Sequence, residues 1–401
     1  MHTNFRWFVA LVMFIVTAST SLLLIAPVTV VGSIAQSSGM APPTIITIAM
    51  STFNLFIVAA VMLGGMLVDK FGVNKIYIGG LLLAIAGNMV GLMAGNSPVG
   101  LFVSRALQGL GTGPIMVSVA VLSHQWFKEN EHGIVAGLQG MAVSVGIAAG
   151  FLLVPRLVEA SGGNWTQSYL TLSAINALGI ALTVAVMLGP KPAAVQHAGA
   201  APDADAPPPE KFKMLQPLVI VGGLCFFGGT WLQQSVNSIG SSFIGDELHM
   251  GQLAGADLMF YYAIAFAIGS PISGFISGML LKGKKDNLVL AAAFAVSAVF
   301  SYLIVNWTDT AGLIACLIVL GVFQSFVNPV VMSFITKSYP PHIIGRVAGF
   351  SMTFSFVAGI LSPIACSWIY NLTKTYSASF LFMVGVSIVG ILLGLKLKKA
   401  A

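Results

Sequence analysis

One arginine lies in the middle of an apolar run, three residues ahead of a glutamine: Arg105 and Gln108. A charged side chain in hydrocarbon costs a few kcal/mol, so Arg105 requires a partner or a wet cavity. Its planar fork of N–H donors is suited to gripping a carboxylate through two parallel hydrogen bonds. Amides, phenols and an indole recur in the other apolar runs: Asn54, Gln139, Trp231, Gln233, Gln234, Asn237, Tyr261, Tyr262, Gln324 and Asn328. Each alone suits a hydrogen bond between helices. Together, with one arginine and almost no acids, they suit a small polar solute that is neutral or anionic. The one acid expected inside an apolar run is Asp257, about one turn into its helix. There it either complements the helix dipole or serves as a proton site near His249. Cys225, Cys316 and Cys366 show no pairing or metal-ligand spacing and read as apolar filler. No nucleophile–base pair, metal cluster or phosphate loop is apparent, so neither a cofactor nor an enzyme is expected.

The elements that must position these groups follow from composition. The 401 residues are 57% hydrophobic and 7% charged, far too few charges for a soluble surface. A spanning helix takes about 20 apolar residues. The hydrophobic pattern predicts spans over 7–34, 43–65, 76–95, 99–123, 133–155, 166–189, 215–241, 254–281, 287–305, 309–335, 343–370 and 376–396. The first is too long for a signal peptide and lacks a small-residue cleavage site. The expected fold is all-α and integral to the membrane, with two six-helix bundles at 1–189 and 215–401. Residues 190–214, polar and proline-rich, read as a flexible linker between them.

The net charge of +6 is unevenly placed. With the N-terminus inside, nearly every lysine and arginine outside a span falls on the cytoplasmic side, from Arg6, Lys70 and Lys75 to Lys396, Lys398 and Lys399. Arg156 and Lys374 fall on the other. This bias predicts cytoplasmic termini in an inner membrane, and it excludes nucleic acid as the reason for the charge.

The halves also repeat in parallel. Gly65-Met-Leu-Val-Asp69 matches Gly278-Met-Leu-Leu-Lys282, Gly113-Pro-Ile-Met-Val-Ser118 matches Asn328-Pro-Val-Val-Met-Ser333, and Gly133-Ile-Val-Ala-Gly137 matches Gly345-Arg-Val-Ala-Gly349. Repeated bundles are how many carriers build a midplane site that opens to each side in turn. Pro114 and Pro329 sit at matching places and flag helices that bend around a cavity.

The loop Gly65-Met-Leu-Val-Asp69-Lys70-Phe-Gly72-Val-Asn-Lys75 resembles the signature loop of the major facilitator superfamily, and Arg105-Ala-Leu-Gln108-Gly109-Leu-Gly111-Thr-Gly113 resembles its second motif. The resemblance covers essentially the whole chain. It implies that Asp69 caps the inner end of the eleventh helix around His342–Arg346, with Gly65, Lys70 and Gly72 completing the gate. Lys70 and Lys75 would face anionic lipid or neighbouring acids. It also offers a second role for Arg105, bracing the fourth helix against its neighbours. The first helix carries no carboxylate, and the fifth lacks the Gly-Pro pair typical of proton-antiporting drug exporters. His124-Gln-Trp126-Phe127-Lys-Glu-Asn-Glu-His-Gly133 is similar to a loop of bacterial oxalate, cyanate, nitrate and organic-acid carriers.

The resulting expectation is a monomeric secondary carrier of a small organic anion, a carboxylate, working by alternating access. A coupling proton or a counter-anion would accompany the cargo. The alternatives are export of drug-like compounds, for which 26 Phe and 18 Met could form an adaptable pocket, and a membrane sensor or scaffold that transports nothing. The substrate site is expected among Arg105, Gln108, Gln139, Trp231, Gln234, Asn237, Tyr261, Tyr262, Gln324 and Asn328.

Overall fold

Helix boundaries fall where the local chemistry stops a helix. Pro42, Pro98 and Pro217 open helices, as suits a residue without an N–H. The Ser97 hydroxyl and the Asp309 carboxylate cap theirs, accepting from the N–H of Gly100 at 3.0 Å and of Gly312 at 2.8 Å. Gly72, with φ of 80°, makes the sharp turn between two long helices, a conformation closed to most side chains.

The structure is a computed structural model, which describes residues 4–128, 131–191, 216–277, 285–339 and 341–397. Among them are 12 helices long and apolar enough to cross a membrane. In chain order these spans are Phe5–Ser38, Pro42–Phe71, Val73–Ala94, Pro98–Trp126, Ile134–Ala160, Trp165–Leu188, Pro217–Glu247, Gln252–Phe275, Asp286–Asn306, Thr310–Ile335, Val347–Thr373 and Ser377–Lys396. They match the expected twelve, with ends shifted by a few residues where caps override hydropathy. The expected linker lies almost wholly outside the described residues, as does the Gly278–Lys282 repeat.

The packing repeats along the chain. In the first half, spans 1 and 5, 2 and 4, 3 and 6, and 3 and 4 pack together; in the second, 7 and 11, 8 and 10, 9 and 12, and 9 and 10 do the same. The ends of the spans define two faces. One carries Phe5 and Lys396, the other the Ser38–Pro42 and Gly95–Ser97 turns; we call the first the terminal face and the second the distal face.

Four interruptions shape the spans. Ala26–Val30 is a 3-10 turn at Pro27, Thr47–Thr52 and Phe243–Glu247 are π-turns, and the tenth span breaks between Gln324 and Val327. Pro329 lies just past that last break. Pro114, its expected counterpart, rides inside an unbroken helix, so the two halves do not bend alike here.

Spans 3 and 4 approach through paired glycines. A Cβ on Gly111 would stand 2.3 Å from the Gly80 carbonyl oxygen, and one on Gly80 would stand 2.4 Å from that of Gly111. The clash is with backbone on both sides, so no rotamer change relieves it. Gly111→Ala is expected to cost about 1–3 kcal/mol through overpacking, read as a lowered midpoint of thermal unfolding in detergent. The same substitution at exposed Gly79, where a Cβ meets nothing, should leave the midpoint in place.

Candidate translocation site

Pro27 has no N–H to give to the Leu23 carbonyl, and the 3-10 turn that follows shifts the pairing of Leu24. In span 2 the Phe53 N–H turns to Met50 at the end of the π-turn, which opens the Ala49 carbonyl. These carbonyls point at one side chain. Arg105 donates from Nε to Ala49 O at 2.7 Å, from Nη1 to Leu23 O at 2.7 Å, and from Nη2 to Leu24 O at 2.8 Å. Nη1 also donates to Gln108 Oε1 at 2.6 Å, and the guanidinium stacks 4.4 Å from the Phe53 ring centroid. The side chain is fully buried.

The network continues outward into the first half. Gln108 Nε2 donates to Asn88 Oδ1 at 2.8 Å and to Ser104 Oγ at 3.3 Å, and Asn88 Nδ2 donates to Ser173 Oγ at 3.1 Å. Arg105 and Gln108 thus tie spans 1, 2, 3, 4 and 6 together. The expectation that they line the cleft is corrected by the released carbonyls, which draw both side chains into the first bundle. The bracing role is the one this geometry performs.

The cleft between the halves is built from other residues. Asn54 Nδ2 donates to Gly359 O at 3.1 Å and Ser51 Oγ to Ile360 O at 2.9 Å, joining spans 2 and 11. Gln234 Nε2 reaches Asn54 Oδ1 at 3.4 Å. Behind the cleft, within the second half, Tyr262 donates its hydroxyl to Gln324 Oε1 at 2.7 Å. Asn237 and Tyr262 line a narrow crevice together with Ser144, Ile147, Gln233, Ala263 and Phe266. Asn328 lies over Gly229, also within the second half. Four polar atoms of this group are buried without a hydrogen-bond partner: Gln234 Oε1, Asn237 Oδ1, Gln324 Nε2 and Asn328 Oδ1.

Three further expectations change. Trp231 packs between Phe227 and Phe382, with ring centroids 5.3 and 6.0 Å away, so it faces span 12 rather than the cleft. Tyr261 is exposed on the outside of span 8. Gln139 spends its amide on Met116 O at 2.7 Å, joining spans 4 and 5.

Toward the distal face the halves are clamped. Arg156 in span 5 grips Asp257 in span 8 through Nη1–Oδ1 at 2.7 Å and Nη2–Oδ2 at 3.1 Å. Ser33 N donates to Gln252 Oε1 at 3.1 Å, and Gln252 Nε2 donates to Ser33 Oγ at 3.1 Å. Asp257 therefore turns to an arginine of the other half, not to His249. On the terminal face Gly65, Asp69 and Lys70 are exposed, with Lys70 Nζ 5.3 Å from the Phe71 ring centroid. Arg346 lies in the helix Pro341–Thr373, but its side chain is outside the described residues. Among the described residues, Asp69 makes no hydrogen bond or ion pair to span 11.

One acid escaped the sequence reading. Asp286, the first residue of span 9, is 2% exposed; it accepts from Ser277 Oγ at 2.5 Å and lies 3.9 Å from Lys337 Nζ. Its place beside Lys284 and Lys285 makes it look like loop, although an acid at a helix start next to an apolar run was a usable signal.

Twelve apolar spans in two repeating sets, joined between the sets at one face, are the anatomy of a multi-pass membrane carrier. The chain belongs to the Major Facilitator Superfamily, whose family model matches residues 8–363 and 287–400. It is 23% identical over 352 residues to the hexuronate transporter of Bacillus subtilis (strain 168), covering 84% of this chain and 82% of that one. To the same organism's "Probable galactarate/D-glucarate transporter" it is 22% identical, covering 97% and 91%. With the proline/betaine transporter of Escherichia coli (strain K12) it shares 22% identity, over 90% and 77%. Among solved structures, a bacterial homolog of the human lysosomal transporter Spinster, inward-facing and unoccupied, superposes with a TM-score of 0.80. Its identity is 13%, over 99% of this chain and 98% of that one.

Removing the guanidinium would leave three carbonyls from broken helices buried without donors. Each such loss costs about 1–3 kcal/mol. Arg105→Gln is therefore expected to lower the thermal midpoint in detergent sharply and to reduce the folded yield. A variant that is as stable as the wild type would contradict the bracing role.

Proposed function

We propose that this protein carries a small polyhydroxylated carboxylate across the cytoplasmic membrane by alternating access, with its terminal face in the cytoplasm. The observation that carries this reading is the chemistry of the cleft. The groups that meet between the halves are amides, hydroxyls and a phenol, and the acid on that interface, Asp257, is already committed to Arg156. Among the described residues that line the crevice there is no carboxylate to meet a cation. A polyol acid would bring hydroxyl donors for the unpartnered oxygens of Gln234, Asn237 and Asn328, and oxygen acceptors for Gln324 Nε2.

The relatives support the class. The hexuronates, galactarate, glucarate, proline and betaine in their names all bear a carboxylate, and the first three also bear several hydroxyls. The charge bias of the loops supports the orientation. The same cleft argues against export of apolar compounds, which would call for an apolar pocket between the halves. Movement of an anion against the membrane potential calls for a compensating charge, so proton symport or exchange against a second anion completes the proposal.

Purified protein in liposomes preloaded with D-glucuronate is expected to show saturable counterflow with hexuronates and aldarates, and none with organic cations. Efflux of lipophilic compounds with silence toward every carboxylate would overturn the reading. Gln324→Ala, which removes an unpartnered buried donor behind Tyr262, is expected to raise KM about tenfold, the equivalent of about 1.4 kcal/mol. An unchanged KM in that variant would remove Gln324 from the site.

A further inference from the structure

The two arginines near the distal half are held in opposite ways. The partners of Arg105 are backbone carbonyls and a glutamine of its own bundle, which travel with it however the halves move. The partner of Arg156 is one side chain, Asp257, on the other half. Alternating access requires spans 5 and 8 to part at the distal face, and that motion takes the carboxylate away from the guanidinium.

We propose that Arg156 is the group that first binds the carboxylate of an incoming solute, and that Asp257 occupies the same two donors when the distal face is shut. This rests on the carboxylate-carrier reading above. The pair has the side-by-side geometry of a substrate complex: two N–H donors of one fork meet two oxygens of one carboxylate, at 2.7 and 3.1 Å. A further bond from Arg156 Nη1 to Leu152 O, 2.7 Å, fixes the head against its own helix, so the fork stays aimed once Asp257 departs. The pair is not sealed in the core: the Arg156 and Asp257 side chains are 46% and 36% exposed. It lies about one turn from Ala160 and Gln252, the distal ends of spans 5 and 8, which places it at the rim of that face. Glu159 lies one turn nearer the rim on the same helix, and its charge disfavours an anion held further out, leaving the Arg156 fork as the place where charge and geometry agree.

The exchange of one carboxylate for another gives the pair a defined consequence. A solute that binds Arg156 only when Asp257 has left stabilises the distal-open state by its whole affinity for that fork. Asp257 in turn sets the affinity that the solute must exceed. The two residues therefore act unequally, although each is needed for the ion pair.

Uptake of radiolabelled D-glucuronate by intact cells presents the solute from one side and tests this asymmetry. Asp257→Asn is expected to lower the external KM several-fold, because the competing carboxylate is gone. Arg156→Gln is expected to raise it about tenfold or more, and Arg156→Lys nearly as much, since an ammonium cannot form the fork. The double variant Arg156→Gln with Asp257→Asn should match Arg156→Gln alone. If the pair is only a latch, either single substitution breaks it equally, and KM would move in the same direction in both; that result overturns the inference. Alkylation of a cysteine at Ser33 reports opening of the distal face in every variant, independent of cargo. Wild-type protein that carries no carboxylate would fail the carrier reading and this inference with it, whereas carboxylate uptake with an unaltered KM in Arg156→Gln would overturn this inference alone.

Discussion

A guanidinium buried among apolar helices and the backbone carbonyls of two broken helices are each intolerable alone. Each satisfies the other in this protein. Arg105 is fully buried, and the 3-10 turn of span 1 and the π-turn of span 2 sit beside it. Irregular backbone at membrane depth survives only where protein groups complete its hydrogen bonds. The brace thus permits spans 1 and 2 to depart from helical geometry at the level where they meet the second half. The contacts of span 2 with the second half follow from that departure: Ser51 and Asn54, at and just past the π-turn, are the residues that reach span 11.

The clamp on the distal face and the exposed Asp69 on the terminal face lie at opposite ends of the same bundles. Ion pairing and amide bonds join the halves where spans 1, 5 and 8 end, while Asp69 stands exposed at the other end of span 2. Close packing within each half, through contacts such as Gly80 on Gly111, leaves little free volume between neighbouring spans. Between the halves, spans 5 and 8 also pack closely, and the polar bonds that cross rely on side chains.

Much of this was legible in the chain. Hydropathy located the spans, loop charge separated the two faces, and Arg105 announced that it needed a partner. The partner itself was hidden, because a backbone carbonyl has no letter; Pro27 hinted at one break, but nothing in Thr47–Thr52 marks a π-turn. Trp231 and Tyr261 were turned to the wrong side, since a membrane helix is apolar or aromatic toward lipid, toward its own bundle and toward a cleft alike. Arg156 and Asp257 were each visible, one as a loop charge and one as an isolated acid. Their pairing depends on how span 5 meets span 8, which sequence spacing does not encode. Asp286 was passed over because the lysines before it read as loop.

The central claim is that the distal clamp opens as the terminal gate closes. Spin-label distances in liposomes measure this directly, with cysteines replacing Gln36 and His249 on the distal face, and Lys75 and Lys285 on the terminal face. All four positions are exposed, and the native cysteines are buried. Titration with D-glucuronate is expected to add a longer distance population at the distal pair and a shorter one at the terminal pair, in step. Distances that stay fixed at both faces, or that lengthen at both together, would contradict the account.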